Sequence, residues 1–191
     1  MNVLTSKQAE VADRALDEES RARDHLVVSL SGAHAYGFPS PDSDLDLKAI
    51  HIERTERLLG LSAPRPHATR LEVIDGVEID YSSNELGGVL FGILQGNGNY
   101  VERVLGALSL RSSPEHDELR PLVERSLSKR IHRHYQGFAR GQLKEFDDAE
   151  QPTAKKLLYV LRTALTGIHV LPLADFIFLK DVSRTAQARA E

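Results

Sequence analysis

The run Asp44-Leu45-Asp46-Leu47-Lys48-Ala49-Ile50-His51-Ile52 alternates polar and apolar side chains at a period of two. Such a segment folds as a strand with one face in a core, because successive side chains point to opposite sides of a sheet. Asp44, Asp46 and Lys48 then share one face, and Leu45, Leu47 and Ala49 the other. Two carboxylates at alternate positions sit a few ångströms apart and repel unless cations lie between them. Hard divalent ions such as Mg²⁺ or Mn²⁺ take oxygen ligands and answer that need.

The neighbouring sequence gives this strand a setting. Upstream, His25 to Ser31 is a short β-rich run ending at Gly32, where backbone N–H groups at a strand-to-turn junction suit a phosphate. Residues 32–43, crowded with Gly37, Pro39, Ser40, Pro41 and Asp42, read as a loop. Downstream, Arg70–Ile74 and Val77–Tyr81 flank Asp75-Gly76, a strong hairpin signal. Val77, Ile79 and Tyr81 face one way on the second strand, and Glu78 and Asp80 the other. Asp80 is therefore a third carboxylate in an apolar–acidic–apolar context.

Helices are expected elsewhere. An amphipathic helix runs from about Ser6 to Asp24, capped by Thr5 or Ser6. Asn84 caps a helix through Leu94, and a short helix follows the Gly-Asn-Gly-Asn turn near Tyr100 to Leu105. Longer helices span about Pro114–Phe146, broken near Gly137 and Gly141, and Thr153–Val170. His132 and His134 read as surface residues, and Leu157, Leu158, Leu161, Leu165 and Ile168 as a helix-packing stripe. The expected fold class is α+β, with a catalytic domain at 1–112 and a helical domain at 113–191.

Composition narrows the chemistry. The 191 residues contain no cysteine, which excludes a disulfide framework, a thiolate zinc site, an iron–sulfur cluster and a cysteine nucleophile. The net charge of −4 excludes a histone-like polycation. It conceals an asymmetry, however. From Arg120 to Lys144 there are seven Lys or Arg against the single acid Glu124, an excess of six, so the remainder carries −10. The exposed-helix candidates for nucleic-acid contact are Arg125, Lys129, Arg130, Arg133, Arg140 and Lys144. Without a basic leader or an apolar run of spanning length, the expectation is a cytoplasmic protein with no membrane partner.

Taken together, Ser31-Gly-Ala-His-Ala-Tyr-Gly37, Asp42-Ser-Asp-Leu-Asp46 and Val77-Glu-Ile-Asp-Tyr81 resemble the DNA polymerase β-like nucleotidyltransferase superfamily. Within it they resemble bacterial predicted nucleotidyltransferases, some of which accompany RNA-repair ligases. Tyr135–Lys144 and Lys155–Arg162 are similar to that family's helical tail, so the resemblance covers about residues 26–170. It implies a mixed sheet with flanking helices followed by a helical region. It also implies two-metal transfer of a nucleoside monophosphate from a nucleoside triphosphate to a hydroxyl. Asp44, Asp46 and Asp80 would be the catalytic and metal-binding residues, with Glu78 as an auxiliary carboxylate. Ser31, Gly32, Ala33, His34, Tyr36, Asp42, Ser43 and Lys48 are the candidate nucleotide-binding residues. The acceptor that the resemblance implies is a nucleic-acid 3′ end in repair, with a protein or a small molecule as the alternative, and a partner protein is a further expectation. One position departs from the pattern, since Ala33 stands where the family generally carries serine after the glycine. That departure sustains an alternative reading as a non-catalytic nucleotide-sensing or partner-binding module.

Overall fold

The computed structural model describes residues 3–40, 43–61 and 65–187. In chain order the elements are α1 (Ser6–Ser20), β1 (Asp24–Leu30), α2 (Gly32–Tyr36), β2 (Leu45–Ile52), α3 (Thr55–Leu59), β3 (His67–Ile74) and β4 (Val77–Glu85). They continue with α4 (Leu86–Leu94), α5 (Gly98–Leu105), β5 (Ser109–Ser112), α6 (Pro114–Ser126), α7 (Arg130–Asp147) and α8 (Ala154–Gln187). The architecture is α+β, as the alternating runs imply.

The chain divides into two compact units, Met1–Leu90 with Glu102–Pro121 and Phe91–Val101 with Leu122–Glu191. The first holds a five-stranded mixed sheet in the order β3-β4-β2-β1-β5. β2 and β4 run parallel, and the other neighbouring pairs are antiparallel. The hairpin turns at Asp75 and Gly76, both at positive φ (51° and 77°), as a tight two-residue connection requires. One face of the sheet packs on α1. Leu45, Leu47, Ala49, Ile79 and Tyr81 meet Val11, Ala12, Ala15 and Leu16 in a core from which water is excluded. α1 is fixed at its start by a capping box, in which Thr5 and Gln8 satisfy each other's backbone N–H groups. At the edge of this layer His25 Nε2 and the Tyr81 hydroxyl lie 2.7 Å apart, and burial lowers the His25 pKa to about 4.

In the second unit, α7 packs along α8. The Tyr135 side chain fills the space beside Gly167, where an added Cβ would come within 2.8 Å of the Tyr135 Cβ. The Thr163 hydroxyl donates to Gln142 Oε1 at 2.7 Å across the pair. Among the described residues no helix is long and apolar enough to cross a membrane.

Several sequence expectations need correction. The segment after Gly32 is not all loop, because residues 32–36 close one short helix. Asn84 does not cap α4. It belongs to β4, and its Oδ1 accepts from Arg103 Nη1 at 2.6 Å. The long helix breaks at residues 127–129 rather than at Gly137 or Gly141, which both lie inside α7. A glycine costs a helix only about 1 kcal/mol, and buried Ile131 and Tyr135 anchor this one. α8 continues well past Val170. The expected packing stripe Leu157, Leu158, Leu161, Leu165 and Ile168 remains 40–64% exposed. His132 is exposed, whereas His134 is half-buried.

Candidate active site

β2 and β4 are parallel neighbours in a register that sets Asp46 opposite Asp80. The pleat turns both side chains away from the α1 core, because Leu45, Leu47, Ile79 and Tyr81 occupy the alternate positions and are at most 1% exposed. Asp44 lies just before β2. The carboxylates of Asp44, Asp46 and Asp80 each present an oxygen such that the three lie within 4.8 Å of one another, and all three residues are half-buried. The sequence thus located all three members of this cluster.

Lys48, two residues along the same face, already acts as a cation between them. Its Nζ donates to Asp80 Oδ2 at 2.8 Å and lies 3.2 Å from Asp46 Oδ1. Burial pushes the Asp46 carboxyl up from its ordinary pKa. Lys48 opposes the shift, and the charges of Asp44 and Asp80 add to it. One ammonium therefore offsets part of the repulsion among three carboxylates and leaves a surplus of negative charge. Such an all-oxygen donor set fits a hard divalent ion. We expect Lys48→Met to lower the melting temperature in chelator by about 2–4 °C, corresponding to about 1 kcal/mol. Mn²⁺ should then raise the melting temperature of the variant by more than that of the wild type. A Mn²⁺ shift no larger than wild type would remove Lys48 from the charge balance of the cluster.

The glycine turn belongs to the same place. Ser31 N donates to the Asp46 carbonyl at 2.8 Å, which ties the start of α2 to β2. Gly32 has φ +63°, and a Cβ there would fall 1.9 Å from Asp46 Oδ2. Only glycine lets the turn lie against that carboxylate. The Ser31 hydroxyl makes no capping bond to α2. Ala33 is buried, and its carbonyl accepts from Phe38 N at 3.1 Å.

The remaining candidates divide by position. His34 is 3% exposed, with its Nε2 3.1 Å from Gln8 Nε2 of α1. Tyr36 is half-buried and donates its hydroxyl to Glu102 Oε2 at 3.3 Å. Ser43 braces its own loop, accepting from Ser40 N at 2.8 Å. Asp42 lies outside the described residues. Glu78 is exposed on β4 and is not one of the three clustered carboxylates. Arg125, Lys129, Arg130, Arg133, Arg140 and Lys144 are all exposed. Arg120, from the same basic stretch, instead turns inward to the carbonyls of Val104, Leu105 and Gly106. Sequence reasoning missed Glu102, which holds Tyr36, and Arg103, which ties Asn84 and the Ala49 carbonyl to α5. Nothing local in the sequence distinguishes either from an ordinary surface charge.

A mixed sheet carrying three converging carboxylates beside a glycine turn defines a polymerase β-like nucleotidyltransferase. The chain belongs to the RlaP family, the RNA repair pathway DNA polymerase beta family, whose model matches residues 9–177. It is 31% identical over 153 residues to an uncharacterized protein of Methanocaldococcus jannaschii, covering 79% of this chain and 62% of that protein. The chain thus spans less than two thirds of the length of this relative. Among solved structures it is similar to a nucleotidyltransferase-like protein from Exiguobacterium sibiricum at 8% identity and a TM-score of 0.46, covering 90% of this chain and 58% of the other.

Proposed function

We propose that this protein transfers a nucleoside monophosphate from a nucleoside triphosphate to the 3′ hydroxyl of a nucleic acid, in repair. The observation that carries this reading is the convergence of Asp44, Asp46 and Asp80 within 4.8 Å, with Gly32 against Asp46. Asp44 and Asp46 would hold two Mg²⁺ or Mn²⁺ ions, with Asp80 completing the set for one of them. When bound, such ions withdraw charge from the triphosphate oxygens and from the attacking hydroxyl.

The protein's own groups supply the rest. The backbone of Ser31, Gly32 and Ala33 borders the triphosphate, and Tyr36, held by Glu102, stands at the end of that short helix. Lys48 exchanges its carboxylate partners for phosphate oxygens as the site fills. Asp80 faces the acceptor and takes the proton of its hydroxyl. The acceptor oxygen then forms a bond to the α-phosphorus as the bond to the bridging oxygen breaks, and pyrophosphate leaves. Ala33 offers no hydroxyl to the triphosphate. One missing hydrogen bond to a charged group costs about 1.5–3 kcal/mol, a loss in affinity rather than in chemistry. We assign this chemistry to residues 1–112 and acceptor contacts to the helical residues 113–191. The name of the family supports a repair role, and the exposed cations Arg125, Lys129, Arg130, Arg133, Arg140 and Lys144 support a polyanionic acceptor.

The test is calorimetric titration with each nucleoside triphosphate in the presence of Mn²⁺. Triphosphate binding should require the metal and disappear in the Asp44→Asn, Asp46→Asn double variant. Unchanged binding in that variant would sink the assignment of the site. Pyrophosphate release should then depend on an added nucleic-acid acceptor. Release that instead follows an added protein or small molecule would move the acceptor to another class.

A further inference from the structure

In the second unit, the turn after α4 and the start of α7 border an open cleft of about 650 Å³. Phe91, Gln95, Asn97, Arg130, Arg133 and His134 line it. None of these residues belongs to the carboxylate cluster. We propose that this cleft seats one nucleotide of a single-stranded nucleic acid, and that the basic face of α7 carries the phosphates that follow it. The proposal deepens the proposed function by giving the acceptor strand a binding site of its own.

The cleft is built by close packing. Gly96 has φ +86°, and a Cβ there would meet the Arg130 backbone carbonyl carbon at 2.6 Å. At Gly98 it would meet His134 Cδ2 at 2.6 Å. The turn therefore lies directly on α7 and fixes Arg130 in place. Arg130 Nη1 donates to the Leu94 carbonyl at 3.3 Å and to Gln95 Oε1 at 3.2 Å, which orients the guanidinium. Among the described residues no carboxylate pairs with Arg130 or Arg133. Two guanidinium groups without an anion, one of them held by backbone, suit phosphate oxygens.

The rest of the lining chooses among anions. Phe91 is 65% exposed and lines the cleft, so an aromatic ring is accessible there for stacking. A nucleobase presents a flat face to such a ring, and the amides of Gln95 and Asn97 supply donors and acceptors for its edges. A cleft of this size suits one nucleotide. Beyond the cleft, Arg133, Arg140 and Lys144 recur at i, i+7 and i+11, on one face of α7 over about 16 Å. Gly137 and Gly141 fall on that same face, and a Cβ at either would meet nothing within 4 Å. The face is thus charged yet low, so a sugar–phosphate backbone can approach the helix closely. A free mononucleotide would fill the cleft and leave this stripe unused.

The experiment measures fluorescence anisotropy of a labelled 12-nucleotide single strand, as RNA and as DNA, over a range of salt, without divalent metal. Wild-type protein should bind with strong salt dependence. Arg133→Ala should weaken binding about tenfold and reduce the log–log salt slope by about 0.7, the loss of one phosphate contact. Phe91→Ala should weaken binding about fivefold or more with the slope unchanged, as lost stacking does. The Asp44→Asn, Asp46→Asn double variant should bind the strand as well as wild type does. That result separates this site from the transfer reaction, because either can then fail alone. No wild-type binding up to about 100 µM at low salt would overturn the proposal. So would affinity untouched by Arg133→Ala and Phe91→Ala. Polyphosphate competing as well as the strand, with Phe91→Ala silent, would reduce the cleft to an anion patch and overturn the nucleotide assignment.

Discussion

Replacing Gly32 by alanine is expected to abolish metal-dependent triphosphate binding while leaving the protein folded. The added methyl would sit 1.9 Å from Asp46 Oδ2 and 2.9 Å from its Cγ, so the Asp46 carboxylate must swing from its present position in the cluster. The backbone adds strain, since φ +63° lies in the left-handed region and costs an alanine about 1–2 kcal/mol. A stability loss of that size leaves most domains folded. Loss of the Asp46 carboxylate in particular, which lies against the glycine turn and in the proposed site would hold both ions, should weaken triphosphate binding at fixed Mn²⁺ by about a hundredfold or more, since a charged partner of an ion contributes about 3 kcal/mol. Gly37→Ala is the control, because Gly37 has φ +81° but a methyl added there would meet nothing within 4 Å. It should share the strain and keep the binding. Calorimetry and thermal denaturation on both variants read the two quantities separately. Equal binding in both would mean that Asp46 can turn away from Gly32 without leaving the site.

The contact between Gly32 and Asp46 also shows what a sequence can reveal. Asp44, Asp46 and Asp80 were legible because alternation at period two fixes which face a strand residue takes, and Asp75-Gly76 fixes the hairpin that carries Asp80. The apolar partners Leu45, Leu47, Ile79 and Tyr81 had to be buried, so the acids had to face the other way. That Gly32 touches Asp46 was not legible. It depends on the β1–β2 register, which pairs Leu30 with Leu47 and so carries the following turn to Asp46. The part played by Lys48 was half legible, since its face follows from spacing but its two carboxylate partners follow from the parallel β2–β4 register.

Other elements escaped for reasons of length. α2 and α3 have five residues each, too few to express a helical period, and four-residue β5 is recognisable only by its pairing with β1. Asn84 looked like a helix cap because its side chain suits one, yet the ladder with β2 extends β4 through Glu85. The cleft at Phe91 and Arg133 brings together segments that are distant in the chain. The glycines that allow it, Gly96 and Gly98, are visible in sequence only as a turn.

Asp80→Asn should separate binding from transfer, and it is the sharpest functional test of the cluster. Asparagine keeps the size of the side chain and the β2–β4 register, so the pairing of Asp46 with position 80 survives. Lys48 loses one of two carboxylate partners but retains Asp46 at 3.2 Å. In the proposed site Asp44 and Asp46 would still flank the triphosphate, and its metal-dependent affinity should change by less than about threefold, the scale of a partly exposed charge pair. The acceptor hydroxyl, however, would lose the base that takes its proton and a charge that places it. General-base contributions run to about 10²–10⁴, so pyrophosphate release should fall by about a thousandfold. A variant of Asp46 should instead lose both quantities together, because Asp46 lies against the Gly32 turn, which we propose borders the triphosphate. If Asp80→Asn abolishes triphosphate binding as well, Asp80 holds the donor rather than the acceptor. If turnover survives within tenfold, the proton leaves by another route, and Asp80 serves the cluster only as the partner that holds Lys48 in place.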